Sequence, residues 1–275
     1  MDIRVLGPME LICGDRSATP TAPKPRSVLA LLLLHVNRTV PVPDLVHELW
    51  GHEPPNSALT TLQTYILHLR KLLSAALSLP ASDIAESVLV TAPGGYQFRC
   101  GPAEFDLPRY QQLAAEGRRA LAAGRNALAA DLLRQAQDLW RGPVLTDVNA
   151  GPQLRPQVKR LQEARLATVE QSIEARLRLG HHQEMLSELA GLTAQYQLHE
   201  NLHAQFMVAL HRSGRRQEAL AVFQQLRTTM VEQLGLEPSK RLHHLQQAIL
   251  SDDPTLEVSP RDDGLAQLLD QLTVR

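Results

Sequence analysis

Two glycines in the second half of the chain, Gly180 and Gly214, lie 34 residues apart, each between two stretches with helical periodicity. Gly124 has the same surroundings. Packing residues recur at four fixed distances after the three glycines. They are Ala129, Met185 and Ala219 five positions after, Leu133, Leu189 and Phe223 nine after, Ala136, Leu192 and Leu226 twelve after, and Trp140, Tyr196 and Met230 sixteen after. A period of 34 residues is typical of tetratricopeptide repeats. The pattern therefore predicts stacked helical hairpins, which offer a surface for protein partners.

The first hundred residues follow a different pattern, in which short β-rich stretches alternate with short helical ones. The change falls near residue 101. We therefore predict a mostly α fold with a small β component: a winged helix-turn-helix domain at 1–101, followed by an all-α tetratricopeptide-like repeat domain at 102–252. A tail at 253–275 contains one more helical pattern, GLAQLLDQL, which could cap the repeats.

The winged helix is predicted from one long helix and a hairpin. In SALTTLQTYILHLRKLLSAAL, an apolar stripe is formed by Leu59, Leu62, Ile66, Leu69 and Leu73. The opposite face is polar and lacks acids, and the following VLVTAPGGYQFRC contains a glycine turn between two strand-like runs. In a winged helix-turn-helix, a helix of this kind enters the major groove, and the hairpin reaches an adjacent phosphate backbone or minor groove. Residues 1–100 carry eight acids and eight bases, so a merely solvated face remains the alternative on these grounds.

A second motif, HENLH at 199–203, has the spacing of a zinc peptidase. In the repeat register, however, His203 occupies the position of the aliphatic residues Leu113 and Val169, and no third ligand is evident. We therefore expect a packing histidine rather than a metal ligand, and no enzyme. Nucleotide-binding glycine motifs are absent, and no cofactor is expected. Because the N-terminus lacks a signal-like pattern and the longest apolar run is VLALLLL, we expect a cytoplasmic protein without a membrane span.

From VLGPMEL to GLEPSKRLHHLQQAIL, the chain resembles the Streptomyces antibiotic regulatory protein family, and in particular its short members. The most specific stretches are KPRSVLALLLLH, VPVPDLVHELWG, PPNSALTTLQTYILHLRKLL, the GGY of the hairpin and ALHRSGRRQEALAVFQQLR. The resemblance implies an OmpR-type winged helix and a bacterial transcriptional activation domain. It also implies an activator of an antibiotic or secondary-metabolite gene cluster, which binds direct repeats in promoter DNA as a homodimer and recruits RNA polymerase through its sigma factor. A helical-repeat scaffold that does not bind DNA is the alternative.

The resemblance also places the DNA contacts, because the recognition helix of OmpR-type domains aligns with TLQTYILHLRKLL. Base contacts are expected from Gln63, from Thr64, whose methyl group can pack on thymine, and from His68, although the family often has arginine in place of His68. Backbone contacts are expected from Thr60, Thr61, Tyr65, Arg70 and Lys71 on the helix, and from Thr91, Gly95 and Tyr96 in the wing. Arg70 lies nearer the apolar stripe and has to extend outward to reach a phosphate.

Overall fold

The computed structural model describes residues 1–101 and 105–257, and the helical pattern GLAQLLDQL lies outside them. The chain divides into two compact units. The first unit comprises residues 1–113 and 135–166, and the second comprises residues 114–134 and those from 167 onward. The first unit thus takes in more of the chain than the domain that we predict at 1–101. The division into functional domains at residues 101 and 252 remains a prediction.

The N-terminal elements are six short strands and four helices. Their bounds are β1 Asp2–Arg4, β2 Glu10–Cys13, β3 Arg16–Ser17, α1 Pro23–Leu34, β4 Thr39–Pro41, α2 Val42–Trp50, α3 Ala58–Leu77, α4 Ala81–Ser87, β5 Leu89–Ala92 and β6 Gly95–Phe98. The strands form two antiparallel three-stranded sheets, ordered β1-β2-β3 and β4-β6-β5. The second sheet joins the predicted hairpin, β5 and β6, to the strand that precedes α2.

The core beneath α3 matches the predicted stripe except at one end. Leu62, Ile66, Leu69 and Leu73 are at most 2% exposed, whereas Leu59 is 59% exposed. The prediction for Leu59 is therefore wrong. The buried row begins at Ala58, four residues before Leu62, so Leu59 falls on the neighbouring row that faces solvent.

Buried or partly buried carboxylates attach later segments of the chain to the first unit. Glu48, which is 5% exposed, accepts hydrogen bonds from the backbone N–H groups of Gly151 at 2.5 Å, Gln153 at 2.8 Å and Leu154 at 3.0 Å. Asp106 accepts from the N–H groups of Val5 and Leu6 at 3.0 Å. These bonds join residues of the first unit that are 100 or more positions apart in the chain.

Among residues 105–257, the α-helices are α5 Asp106–Ala122, α6 Asn126–Asp138, α7 Leu154–Arg178, α8 Leu186–Gln195, α9 Glu200–Arg212, α10 Arg216–Leu234 and α11 Lys240–Ser251. The chain turns between helices at the three predicted glycines, Gly124, Gly180 and Gly214, where φ is +68°, +82° and +73°. Glycine adopts this left-handed conformation without a steric penalty.

The predicted packing positions of the repeats are largely buried. The residues five positions after the glycines are fully buried, and those nine positions after are at most 1% exposed. Leu192 and Tyr196 are only half-buried. In the second unit, α9, α10 and α11 share one core, which Leu256 of a 3-10 turn completes. The predicted fold class, mostly α with small antiparallel sheets and helical hairpins, is confirmed.

Candidate nucleic-acid interface

The outer face of α3 presents most of the side chains that we expect to contact DNA. Thr60, Gln63, Thr64, His68 and Lys71 are exposed, and Thr61, Tyr65 and Arg70 are half-buried. Leu67, which the sequence prediction left out, is 50% exposed on the same face. A leucine among polar positions is the sequence signal that could have identified it. Because α3 contains no acid, nothing on the helix repels a polyanion.

The hydroxyl group of Thr64 is already engaged within the helix. Its Oγ1 donates to the backbone carbonyl of Thr60 at 2.9 Å. Since a hydroxyl has one proton, Thr64 has no donor left for a base. It can still offer an acceptor and its methyl group.

Arg70 connects α3 to the hairpin. Its Nε and Nη2 donate to the carbonyl oxygen of Leu89 at 3.0 and 2.8 Å, and Nη2 also donates to Oγ1 of Thr91 at 2.8 Å. Burial lowers the pKa of the Arg70 guanidinium below its ordinary value, and the nearby Tyr96 opposes this shift. Two residues that we expected to contact the DNA backbone, Arg70 and Thr91, therefore bind each other in this structure.

The wing itself is shaped by glycine. Gly94 has a φ of +75°, which is the turn conformation that we expected from this pair of glycines. Gly95 is buried, and a Cβ at this position would lie 2.1 Å from the carbonyl oxygen of Val40 on β4. Tyr96 is half-buried and lies opposite Val40 and Thr91 in the sheet. Close strand packing thus accounts for Gly95, and its contact with DNA stays a prediction.

The HENLH motif has a structural explanation. His199 immediately precedes α9, and its Nε2 lies 2.9 Å from Oε1 of Glu170. His203 is 6% exposed, its Nδ1 lies 3.1 Å from the carbonyl oxygen of His199, and burial lowers its pKa. Glu200 accepts from the N–H group of Ser239 at 3.0 Å. The expectation that His203 is a packing residue is confirmed.

Residues 1–101 and 105–257 show neither a metal site nor a membrane-spanning helix. Within these ranges, no group of three or more His, Cys, Asp or Glu side chains could hold a metal ion. No helix there is both long enough and apolar enough to cross a membrane.

Comparison with known families gives two matches that together span most of the chain. A family described as the bacterial transcriptional activator domain matches residues 105–250. A family described as the C-terminal domain of transcriptional regulatory proteins matches residues 17–98. The first match alone covers more than half of the chain.

Individual relatives agree with these matches. Regulatory protein DnrI of Streptomyces peucetius is 50% identical over 257 residues, which are 94% of this chain and 94% of DnrI. Regulatory protein AfsR of Streptomyces coelicolor is 42% identical over 92% of this chain, but the match spans only 24% of AfsR. The structure of Mycobacterium tuberculosis EmbR in complex with a low affinity phosphopeptide superposes with a TM-score of 0.87 at 30% identity, over 99% of this chain and 70% of EmbR.

These comparisons confirm the resemblance seen in the sequence and exclude the metallopeptidase reading of HENLH, since the matching families are transcriptional regulators and not enzymes. Such a regulator combines two parts, and this chain has both: a helix with an acid-free outer face beside a β-hairpin, and a set of helical hairpins. The chain belongs to the Streptomyces antibiotic regulatory protein family of DNA-binding transcriptional activators, with an OmpR-type winged helix and a bacterial transcriptional activator domain.

Proposed function

We propose that this protein activates an antibiotic or other secondary-metabolite gene cluster by binding direct repeats near a promoter and recruiting RNA polymerase with its sigma factor. The observation that carries the proposal is the outer face of α3, which exposes polar side chains and a lysine without any acid. Membership of the family supports the gene-cluster target. We place the protein in the cytoplasm, where it would meet promoter DNA.

We propose that Gln63, Thr64 and His68 contact the bases. A glutamine amide can pair with the N6 and N7 edge of adenine, and a histidine ring can donate to or accept from a base. Thr64 has only an acceptor and a methyl group to offer, because its hydroxyl proton is bound to Thr60. Gln63 and Thr64 are adjacent, His68 follows one turn later, and all three side chains are exposed on α3.

We propose that residues around Gln63, Thr64 and His68 contact the DNA backbone. On α3 we propose Thr60, Thr61, Tyr65, Arg70 and Lys71, and in the wing Thr91, Gly95 and Tyr96. The bonds that Arg70 makes to β5 use its Nε and Nη2 hydrogens, which leaves Nη1 for a phosphate. Arg70 would thus hold the wing against α3 and contact DNA at the same time.

The small number of cations limits how tightly one protomer binds. Arg70 and Lys71 are the arginine and lysine residues of α3, and each phosphate contact contributes through the release of counterions. One protomer on one half-site should therefore bind modestly, with a shallow dependence on salt. A homodimer on two direct repeats gains affinity because the second contact becomes intramolecular.

The test is a pull-down of fragmented genomic DNA with the purified full chain, followed by sequencing. The variant is the double substitution Thr64→Ala/His68→Ala. A matched control is Thr229→Ala/His244→Ala, because Thr229 on α10 makes the same hydroxyl bond to a carbonyl four residues back at 2.9 Å and His244 is exposed. We expect the wild type and the control to enrich a few promoters with a direct repeat, and the variant to lose them. If the wild type enriches no fragment, or if the variant enriches the same ones, the proposed DNA contacts are refuted.

A further inference from the structure

Leu67 lies in the middle of the surface that α3 would present to DNA. At about 100° per residue, its side chain is about 60° around the helix from Thr64 and about 40° from Lys71. It is 50% exposed, whereas the leucines that hold α3 in the fold, such as Leu62 and Leu69, are 1% exposed. Leu67 thus contributes little to the core and instead places an isobutyl group among polar side chains.

Thr64 extends this apolar surface. Residues three apart on a helix are neighbours, so the Thr64 side chain lies beside that of Leu67. Its hydroxyl is turned to the carbonyl oxygen of Thr60 at 2.9 Å, which leaves the methyl group as its apolar contribution. Together, Leu67 and the Thr64 methyl form an apolar patch with Gln63, His68 and Lys71 at its border.

We propose that Leu67, together with the Thr64 methyl, reads the 5-methyl groups of thymines in the major groove. This inference rests on the DNA binding proposed above. The thymine methyl is the apolar group that the standard base pairs present there. An adenine or cytosine amino group facing Leu67 would lose water without gaining a hydrogen bond, and this penalty disfavours bases other than thymine. Leu67 is therefore a specificity-determining residue that acts without hydrogen bonds.

The experiment replaces single thymines by deoxyuridine, which removes only the 5-methyl group. The probe is the duplex recovered most strongly by the wild-type full chain in the pull-down, and affinity is measured at fixed salt for every thymine of one half-site. Wild-type protein should bind about fourfold more weakly at one or two positions, the effect of about 0.8 kcal/mol for one methyl group returned to water. Leu67→Ala should bind the thymine duplex more weakly and should no longer distinguish uracil at the position that Leu67 reads.

Two further variants separate this role from general effects on α3. Leu59→Ala removes a leucine that is 59% exposed near the start of the same helix and should keep the fourfold discrimination. Thr64→Ser removes the methyl but keeps the hydroxyl, and should reduce discrimination at a neighbouring thymine only.

The outcomes distinguish the two proposals. If wild-type protein selects a duplex but uracil weakens binding nowhere, or if Leu67→Ala discriminates as the wild type does, this inference is overturned while DNA binding stands. If the wild type selects no duplex, both proposals fail.

Discussion

Replacing Glu48 by alanine tests how the first unit holds the segment that begins α7. The carboxylate is 5% exposed and accepts from three backbone N–H groups, those of Gly151, Gln153 and Leu154. Leu154 is the first residue of α7, so the negative charge also faces the positive end of a helix dipole.

The expected cost follows from the bonds that are lost. A hydrogen bond to a charged group contributes about 1.5–3 kcal/mol, and a buried N–H group without a partner costs about 1–3 kcal/mol. The N–H of Leu154 is in a buried bond, and the other two bonds are partly buried, where water can replace part of the loss. We therefore expect Glu48→Ala to lower the free energy of unfolding by about 4 kcal/mol, and Glu48→Gln, which keeps one acceptor oxygen, by about 2 kcal/mol.

The assay is thermal unfolding of the purified full chain followed by circular dichroism. About 4 kcal/mol in a unit of this size corresponds to a decrease in Tm of about 10 °C for the transition of the first unit. The control is Glu53→Ala, because Glu53 is exposed in the loop after α2. A Glu48→Ala variant that melts within about 1 °C of both the wild type and the control would refute the argument that this carboxylate caps α7.

Two other predictions concern the helical hairpins and a buried acid. Gly214→Ala forces a side chain into a turn with a φ of +73° and should lower the free energy of unfolding by about 1–2 kcal/mol. Gly191→Ala lies within α8, where no atom is near the added Cβ, and should raise the free energy of unfolding by about 1 kcal/mol. Urea titrations of both variants would contradict this prediction if the two free energies shifted in the same direction. Burial raises the pKa of Asp106 above its ordinary value of 3.8, although N–H groups of Leu6 and Val5 oppose the shift. The folded protein thus holds this proton more tightly than the unfolded chain, so the contribution of Asp106 to stability should fall as pH rises from below 3.8 through the raised pKa and then stay constant. The difference in unfolding free energy between wild type and Asp106→Asn, measured against pH, should show this decrease; a difference that grows with pH would contradict it.

Much of the fold could be predicted because its signals are local. The spacing of Gly124, Gly180 and Gly214 predicted three turns between helices, and each glycine adopts the left-handed conformation that ends a helix. The stripe from Leu62 to Leu73 identified the buried face of α3, and with it the exposed positions of Gln63, Thr64 and His68. Helical periodicity and glycine turns depend on residues within a few positions of one another, which is why one sequence sufficed for them.

The contacts made by individual residues of the candidate site were harder to predict from the sequence. Arg70 was expected to reach outward to a phosphate, but its guanidinium binds Leu89 and Thr91, which lie 19 and 21 residues later in the chain. Gly95 was expected to contact the DNA backbone. In the structure it packs against β4, where a Cβ on residue 95 would lie 2.1 Å from the carbonyl oxygen of Val40. Leu67 was not among the residues expected to contact DNA, and its 50% exposure on the outer face of α3 identifies it as a further candidate.

The sequence by itself determined the class of the fold, the helical hairpins, the polar face of α3 and the family, because periodicity, glycine turns and motif order are properties of neighbouring residues. The tertiary structure alone decided how Glu48 meets the start of α7 more than 100 residues later, how Arg70 is shared with the wing, and which leucines of α3 stay in solvent. These choices depend on which backbone groups and surfaces come together in space. No short-range pattern encodes that, because the free energy of a buried carboxylate or an exposed leucine depends on partners that are distant in the chain.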